Sequence, residues 1–392
     1  MQWKNSSIRG IVRIMKRIYL DNASTSFPKA PGTAEAMFDY LTENGANLNR
    51  GEYSDTFSAE EHVNHVRSLL ASHFGSSHPE CVAFSQSVTY AINAIISGLF
   101  NRETPVLISS MEHNAVVRPL ALHRIPFIQI PSDRQGHCLL SKLPSLAAHQ
   151  AKALIIQSAS NVSGTIQDIA LASKLAHENG LLMIVDAAQG SPHVKLDMEK
   201  MGIDAVCFTG HKGFLGPQGI GGMVLSPELA ALLPPFAAGG TGSLSYAAAM
   251  PDFLPDKFEA GTQNIPGLFG LEASLEYEKA YHEKIEARLK WLTEMLINGL
   301  SEIDGVTVLG PPSSELRTPV VSITTQRADI AQLCTMLEQR AGIEARVGLH
   351  CAPLAHRSLG SFPEGALRFS PGPFTTDEEA ETAISVLRSC LK

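Results

Sequence analysis

Aromatic side chains make up only 6% of this 392-residue chain, and its 31 basic residues are outnumbered by 39 acidic ones. The formal charge of −8 gives no general attraction to nucleic-acid phosphates or anionic membrane surfaces, so no nucleic-acid partner is expected. Long hydrophobic runs are also missing. Segments such as Leu181 to Val185 fall far short of the roughly 18 apolar residues that a spanning helix needs, so no membrane partner is expected either. The six cysteines, at 81, 138, 207, 334, 351 and 390, form no CxxC pair and no regular spacing. They indicate neither a metal site nor a disulfide framework, and a reducing cytoplasm fits them best.

What is present describes a soluble globular protein, with 44% hydrophobic and 18% charged residues. Because single cores stop growing at roughly 250 to 300 residues, the length implies two domains. Residues 1 to 17 carry Lys4, Arg9, Arg13, Lys16 and Arg17 without an acid. They read as a disordered extension or an upstream start before Met15, with a short organellar presequence as the alternative. From Tyr19 onward, short apolar runs alternate with segments of helical period, a rhythm that predicts an α/β fold with a mostly parallel sheet. Strands are expected at Pro105 to Ser109, Pro126 to Ile130, Ala153 to Gln157, Leu181 to Val185, Ala205 to Phe208 and Gly221 to Leu225. A capping box at Ser58 and Glu61 predicts a helix through Phe74, and another at Thr376 and Glu379 predicts a last helix through Leu391. After a long amphipathic helix from about Gly267 to Leu300, strands are expected at Val306 to Leu309, Val320 to Thr324, Ile343 to Val347 and Leu367 to Ser370, with a helix from Asp329 to Ala341. The expected division is a large domain over residues 31–266 and a smaller α+β domain built from 18–30 and 267–392.

One lysine lies in a glycine-bracketed turn after an apolar strand: Cys207-Phe208-Thr209-Gly210-His211-Lys212-Gly213. A lysine held there can form a Schiff base, chemistry that suits pyridoxal 5'-phosphate, although a lone solvated loop lysine would look the same. Asp186 ends a strand at the carboxyl edge, where it either protonates a pyridine nitrogen or simply caps the next helix. Gln189 is a candidate donor to the cofactor's phenolate oxygen. Ser85-Gln86-Ser87-Val88-Thr89 leads into a helix expected over Tyr90 to Phe100, whose free N–H groups suit a phosphate, with the hydroxyls of Ser87 and Thr89 as further donors. That run is also an ordinary Ser/Thr cap. His113, in a loop after another strand, either lies over the pyridine ring or serves structure only.

Taken together these segments resemble the class V aminotransferase-like pyridoxal phosphate enzymes, and within them the cysteine desulfurases with a short, ordered cysteine loop. The resemblance runs through Tyr19-Leu20-Asp21-Asn22-Ala23-Ser24-Thr25, Met111-Glu112-His113-Asn114, Ala159 to Thr165, Val185 to Gln189 and Thr209 to Lys212, then Phe258 to Asn264 and Arg346 to Ala352. It covers nearly the whole chain after Lys16. It implies fold type I, with Lys212 as the cofactor lysine, Asp186 at the pyridine nitrogen, Gln189 at the phenolate and His113 stacked on the ring and moving protons. It further implies phosphate contacts from Thr209, His211, the Val88 backbone and Thr89, with Thr262 reaching across from a second subunit, hence a homodimer. Asn161 and Arg368, with Arg346 nearby, match positions that hold the substrate carboxylate. Many relatives have a small residue followed by Thr-Glu after the phosphate turn, whereas this chain has Val88-Thr89-Tyr90. One hydroxyl ligand is therefore expected to be missing, with more weight on backbone donors and Ser87. Gln263 and the glycine-rich run Gly239 to Ser243 are a second departure, at the dimer-facing loop.

Cys351 separates sulfur chemistry from plain amino transfer. It follows a strand-like segment close to an arginine and two histidines, whose positive charge is expected to favour a reactive thiolate; the alternative is a buried structural cysteine. The resemblance implies that Cys351 is the nucleophile that becomes a persulfide. In the implied reaction L-cysteine enters at Lys212, Lys212 removes the α-proton, His113 relays a proton, and Cys351 takes the sulfur as alanine leaves. A protein sulfur acceptor would follow. Selenocysteine lyase, a cystine or cysteine-sulfinate lyase and a class V transaminase remain alternatives, as does a non-catalytic pyridoxal-binding regulator.

Overall fold

The computed structural model describes residues 17–48, 51 and 53–392, so the expected extension lies, except for Arg17, outside the described residues. A two-residue strand β1 (Ile18–Tyr19) opens the chain. A large sheet then follows from β2 (Val82–Ser85), β3 (Val106–Ser109), β4 (Phe127–Ile130), β5 (Ala153–Gln157), β6 (Leu182–Asp186), β7 (Ala205–Thr209) and β8 (Gly221–Leu225). Its order is β2-β8-β7-β6-β5-β3-β4, with β8 antiparallel to both neighbours and the other pairings parallel. The mostly parallel α/β expectation therefore holds.

The inner strands are apolar along their whole length because both faces of the sheet are covered, and β3, β5, β7 and β8 are buried at every residue. Polarity enters at their ends. Ser109, Gln157, Asp186 and Thr209 are the last residues of β3, β5, β6 and β7, so four buried polar side chains line one carboxyl edge. A site at that edge is the usual arrangement in open α/β sheets.

A second sheet is formed by β9 (Val306–Val308), β10 (Val321–Thr325), β12 (Arg346–Gly348) and β13 (Ala366–Phe369), in the order β12-β13-β10-β9 and antiparallel throughout. Strand β11 (Ile343–Glu344) pairs in parallel with β1 instead. The single strand expected over Ile343 to Val347 is thus two, serving different sheets. The 37-residue helix Ile265–Ser301 connects the two layers: Leu268, Leu271 and Leu275 pack in the core beneath the large sheet, while Leu292, Leu296 and Leu300 pack in the core of the small one. Its start is fixed by Asn264, whose side chain accepts from the Gly267 amide at 3.1 Å, and by a proline in the first turn.

The capping box at Thr376 and Glu379 is present and opens the helix Asp377–Cys390. The one expected at Ser58 is not. The helix runs Ser54–His73, with Tyr53 extended as its N-cap, so Ser58 lies inside it; the Tyr53 carbonyl has already accepted the Thr56 and Phe57 amides. Strand β2 was not legible as an element, being four residues at the sheet edge paired to β8 alone. No helix among the described residues is long and apolar enough to cross a membrane.

Candidate active site

Strand β7 delivers Thr209 to the carboxyl edge, and Lys212 follows three residues later in a turn that requires glycine. A Cβ on Gly213 would lie 2.2 Å from the Ser191 carbonyl oxygen, and one on Gly210 would touch Leu271 at 3.0 Å. Lys212 lines a cleft together with Asn22, Ala23, Gln189 and His193. Burial pulls its amine down to about 8, with Asp186 opposing that shift and Arg368 and Arg346 adding to it. Asp186, 4% exposed, accepts from the Ala188 amide at 2.9 Å; burial raises its carboxyl while that amide and Lys212 act the other way.

His113 caps the helix Asn114–His123 by accepting the Ala115 amide on Nδ1 at 3.0 Å. Its proton therefore sits on Nε2, and burial together with the Lys212 and Arg346 charges pushes the ring down to about 4, so it is neutral at pH 7. The preceding residue, Glu112, is fully buried. Ser109 and the Gln157 amide donate to its Oε1, Oε2 has no partner, and desolvation raises the carboxyl to about 8.

At the opposite side stand two arginines on adjacent strands, Arg346 on β12 and Arg368 on β13, paired in register. Arg368 is 1% exposed and donates to Asn161 O at 3.0 Å, Asp21 Oδ1 at 2.7 Å and Ser24 Oγ at 2.8 Å. Arg346 also donates to Ser24 Oγ, at 2.7 Å. Cys351 is exposed and lies three residues beyond the end of β12. Its carbonyl accepts the Asn114 amide at 2.8 Å, and the His350 carbonyl accepts Asn161 Nδ2 at 2.6 Å. Both His350 and Cys351 are left-handed, with φ of 48° and 57°.

The model of the aminotransferase class-V family matches residues 18–382. The chain belongs to that family. A probable cysteine desulfurase of Methanothermobacter thermautotrophicus is 31% identical over 95% of this chain and 94% of its own length. Another, from Pseudomonas aeruginosa, is 32% identical over 93% and 91%. Among solved structures, an apo cysteine desulfurase from Thermococcus onnurineus superposes with a TM-score of 0.87 at 28% identity, covering 96% of this chain and 94% of that one. The fold is that of these class V enzymes.

The pocket of this class V chain suits the family's cofactor. Thr209 Oγ1 is buried without a partner at the strand end. Gly221, paired with Thr209 across β7 and β8, comes so close to the helix Val88–Leu99 that a Cβ there would lie 2.7 Å from Ser87 C and Val88 N. Ser87 precedes that helix without capping it, and its carbonyl takes the Tyr90 and Ala91 amides. The Val88 and Thr89 amides stand ahead of those, at the positive end of the helix dipole. The helix begins two residues earlier than the sequence suggests, which puts Thr89 on the exposed first turn with its carbonyl accepting Asn93 Nδ2 at 2.8 Å. His211 is neutral, drawn down to about 4 by burial and the nearby lysines, and its Nδ1 meets Thr25 Oγ1 at 3.0 Å. Gln189 donates to Ala23 O at 2.8 Å. Thr262 is exposed, and its loop is laid against the glycine-rich run through the Gly261 amide on Gly240 O at 2.9 Å.

One expectation changes. His350 and His356 bring no positive charge to Cys351: stacked at 5.5 Å and desolvated, they are pushed down to about 2 and about 4. Asn161 also holds the cysteine loop, through one of the two N–H donors of its side-chain amide. Sequence reasoning also missed Asp21 and Ser24. Their spacing in a polar loop after β1, where the Ser24 amide turns back onto Asp21 O at 3.1 Å, was the available signal. Lys29 was missed too, with Nζ on Thr25, Ser26 and the His211 carbonyl.

Proposed function

We propose that this chain is a pyridoxal phosphate-dependent cysteine desulfurase that converts L-cysteine to L-alanine and collects the sulfur as a persulfide on Cys351. The observation that carries the reading is the pairing of a desolvated lysine at a sheet edge with an exposed cysteine tied by its own carbonyl to the residue after His113. A plain transaminase has no use for that cysteine. The cofactor supplies an electron sink for the α-carbanion. Lys212 would hold it, with Asp186 as the partner for the pyridine nitrogen, Gln189 for the phenolate oxygen and His113 as a neutral imidazole with its proton on Nε2. Thr209, Ser87, Val88, Thr89 and His211 would hold the phosphate, and the Arg346–Arg368 corner would hold the substrate carboxylate, with Asn161 as a further donor.

With an amine near pH 8, Lys212 is in reach of its neutral form at physiological pH and can accept the α-proton. His113, neutral, can pass a proton at the substrate amine or thiol. The Cys351 thiolate then bonds to the substrate sulfur as the Cβ–S bond breaks, and the electron pair stays with the carbon fragment that leaves as alanine. The reading includes a homodimer in which Thr262, exposed on its own chain, would reach the partner's phosphate. It also includes a cytoplasmic setting and a protein that accepts the persulfide sulfur for iron–sulfur cluster assembly or related sulfur metabolism. The test is incubation of purified protein with L-cysteine and a reductant: alanine and sulfide should appear in equal amounts. Indifference to cysteine with amino exchange to pyruvate would establish the transaminase instead.

A further inference from the structure

The half-buried Lys29 ends in an ammonium whose three N–H donors meet three oxygens: Thr25 Oγ1 at 3.2 Å, Ser26 Oγ at 3.1 Å and the His211 carbonyl at 3.1 Å. Thr25 Oγ1 also lies 3.0 Å from His211 Nδ1 and 3.4 Å from Gln218 Nε2. That hydroxyl has one proton and two lone pairs. Lys29 and Gln218 Nε2 can only donate, so they occupy the lone pairs. The proton has two possible acceptors, His211 Nδ1 and the His211 carbonyl oxygen at 3.2 Å. The carbonyl is already crowded, taking the Ser26 amide at 2.9 Å and the Ser26 hydroxyl and Lys29 ammonium at 3.1 Å each. The Thr25 proton therefore goes to Nδ1. In the neutral His211 ring the remaining proton then sits on Nε2, a nitrogen with no partner among the described residues.

Resting on the cofactor reading above, we propose that Lys29 is a positioning residue: acting through Thr25, it fixes the tautomer of His211 so that the ring offers an N–H donor, and not a lone pair, to the cofactor phosphate. Which nitrogen of a histidine carries the proton is set by what the other one meets. A bare imidazole nitrogen would face phosphate oxygens that also only accept. With Nε2–H in place, the ring joins Thr209 Oγ1, two residues earlier and buried without a partner, in suiting that group. Without the ammonium, Thr25 Oγ1 regains a free lone pair and the His211 carbonyl loses a donor. The Nδ1–H tautomer then no longer sacrifices a hydrogen bond.

The test compares wild type with Lys29→Met, a side chain of similar length without donors. Nitrogen–proton correlation spectra of the full-length chain, labelled with 15N in histidine and freed of coenzyme, read the tautomer, with His211→Phe identifying the signal. Wild type should show His211 as Nε2–H, and Lys29→Met should show a population with Nδ1–H. Release of pyridoxal phosphate from the holoenzyme, followed by absorbance, should be about tenfold faster in Lys29→Met, the loss of one hydrogen bond to a charged group. In a His211→Phe background, where no tautomer remains to be set, the same substitution should change release by less than about twofold. An Nδ1–H signal in wild type, an unchanged tautomer in Lys29→Met, or an equal acceleration in both backgrounds would overturn the proposal and leave Lys29 a structural lysine. If Lys29→Met does not fold, the wild-type spectrum decides: Nε2–H supports the proposal and Nδ1–H overturns it. No readout involves cysteine and the tautomer is read without coenzyme, so failure to act on cysteine, or to take up pyridoxal phosphate, would sink the functional reading separately.

Discussion

The two halves of the candidate site are built in opposite ways. Lys212 follows a fully buried strand of the central sheet, in a turn whose glycines leave no room for a methyl group. Cys351 is exposed, on a loop where two successive residues occupy left-handed conformations that cost L-amino acids about 1–3 kcal/mol each. The lysine is placed by packing; the cysteine is placed by hydrogen bonds that cross from one sheet layer to the other, Asn114 to Cys351 and Asn161 to His350. A proton-transfer base benefits from a dry, fixed setting, because desolvation brings its amine toward neutrality. A sulfur carrier must instead be held for one attack and remain reachable for delivery. If Lys212 and Cys351 act as proposed, the geometry separates those demands.

Replacing either reactive group should show the largest effects and should differ in kind. Lys212→Ala should reduce alanine formation by about a thousandfold or more and abolish reducible cofactor attachment. Cys351→Ser should keep the cofactor's absorbance and its attachment to Lys212 while losing sulfide release from L-cysteine; retention of normal sulfide release would remove Cys351 from the reaction. A smaller effect is expected from the loop anchors. Asn161→Ala should lower kcat about tenfold, the equivalent of one good hydrogen bond, with KM little changed. A rise in KM with kcat preserved would instead show that Asn161 acts chiefly on the substrate carboxylate.

The buried half also has a pH signature. Below about pH 8 Lys212 is mostly protonated in the cofactor-free protein, and only the neutral amine attacks an aldehyde. The rate of reconstitution with pyridoxal phosphate should therefore climb with pH up to about 8 and then level off; a flat profile across that range would contradict the desolvated amine. Glu112 offers the mildest test. Its folded-state carboxyl keeps its proton up to about pH 8, whereas the unfolded chain ionises near the ordinary 4.5, so this group's stabilisation is complete below 4.5 and disappears as pH rises toward 8. Glu112→Gln, which stays neutral, should show a smaller fall in Tm between those limits.

Much of this was readable before the fold was known, and for a physical reason. Strands covered on both faces are written as unbroken apolar runs, so the polar residue that ends each of them, Asp186 and Thr209 among them, marks the working edge directly. Lys212 stood out because its glycines have a steric cause. The contacts that join the halves were not legible: Asp21 meets Arg368 across 347 positions and Asn161 meets His350 across 189, distances over which spacing conveys nothing. The charge state of His350 and His356 was misjudged because neighbours in sequence suggest charge, while burial, visible only in the fold, decides it.

The central claim is that sulfur passes from L-cysteine to Cys351 at a site organised by Lys212. Mass analysis of peptides after one brief exposure of the holoenzyme to L-cysteine, with free thiols and persulfides alkylated, tests it most directly. One added sulfur atom is expected on the Cys351 peptide, absent in Lys212→Ala and absent from the other five cysteines. An unmodified Cys351 in enzyme that is releasing alanine from cysteine would contradict it.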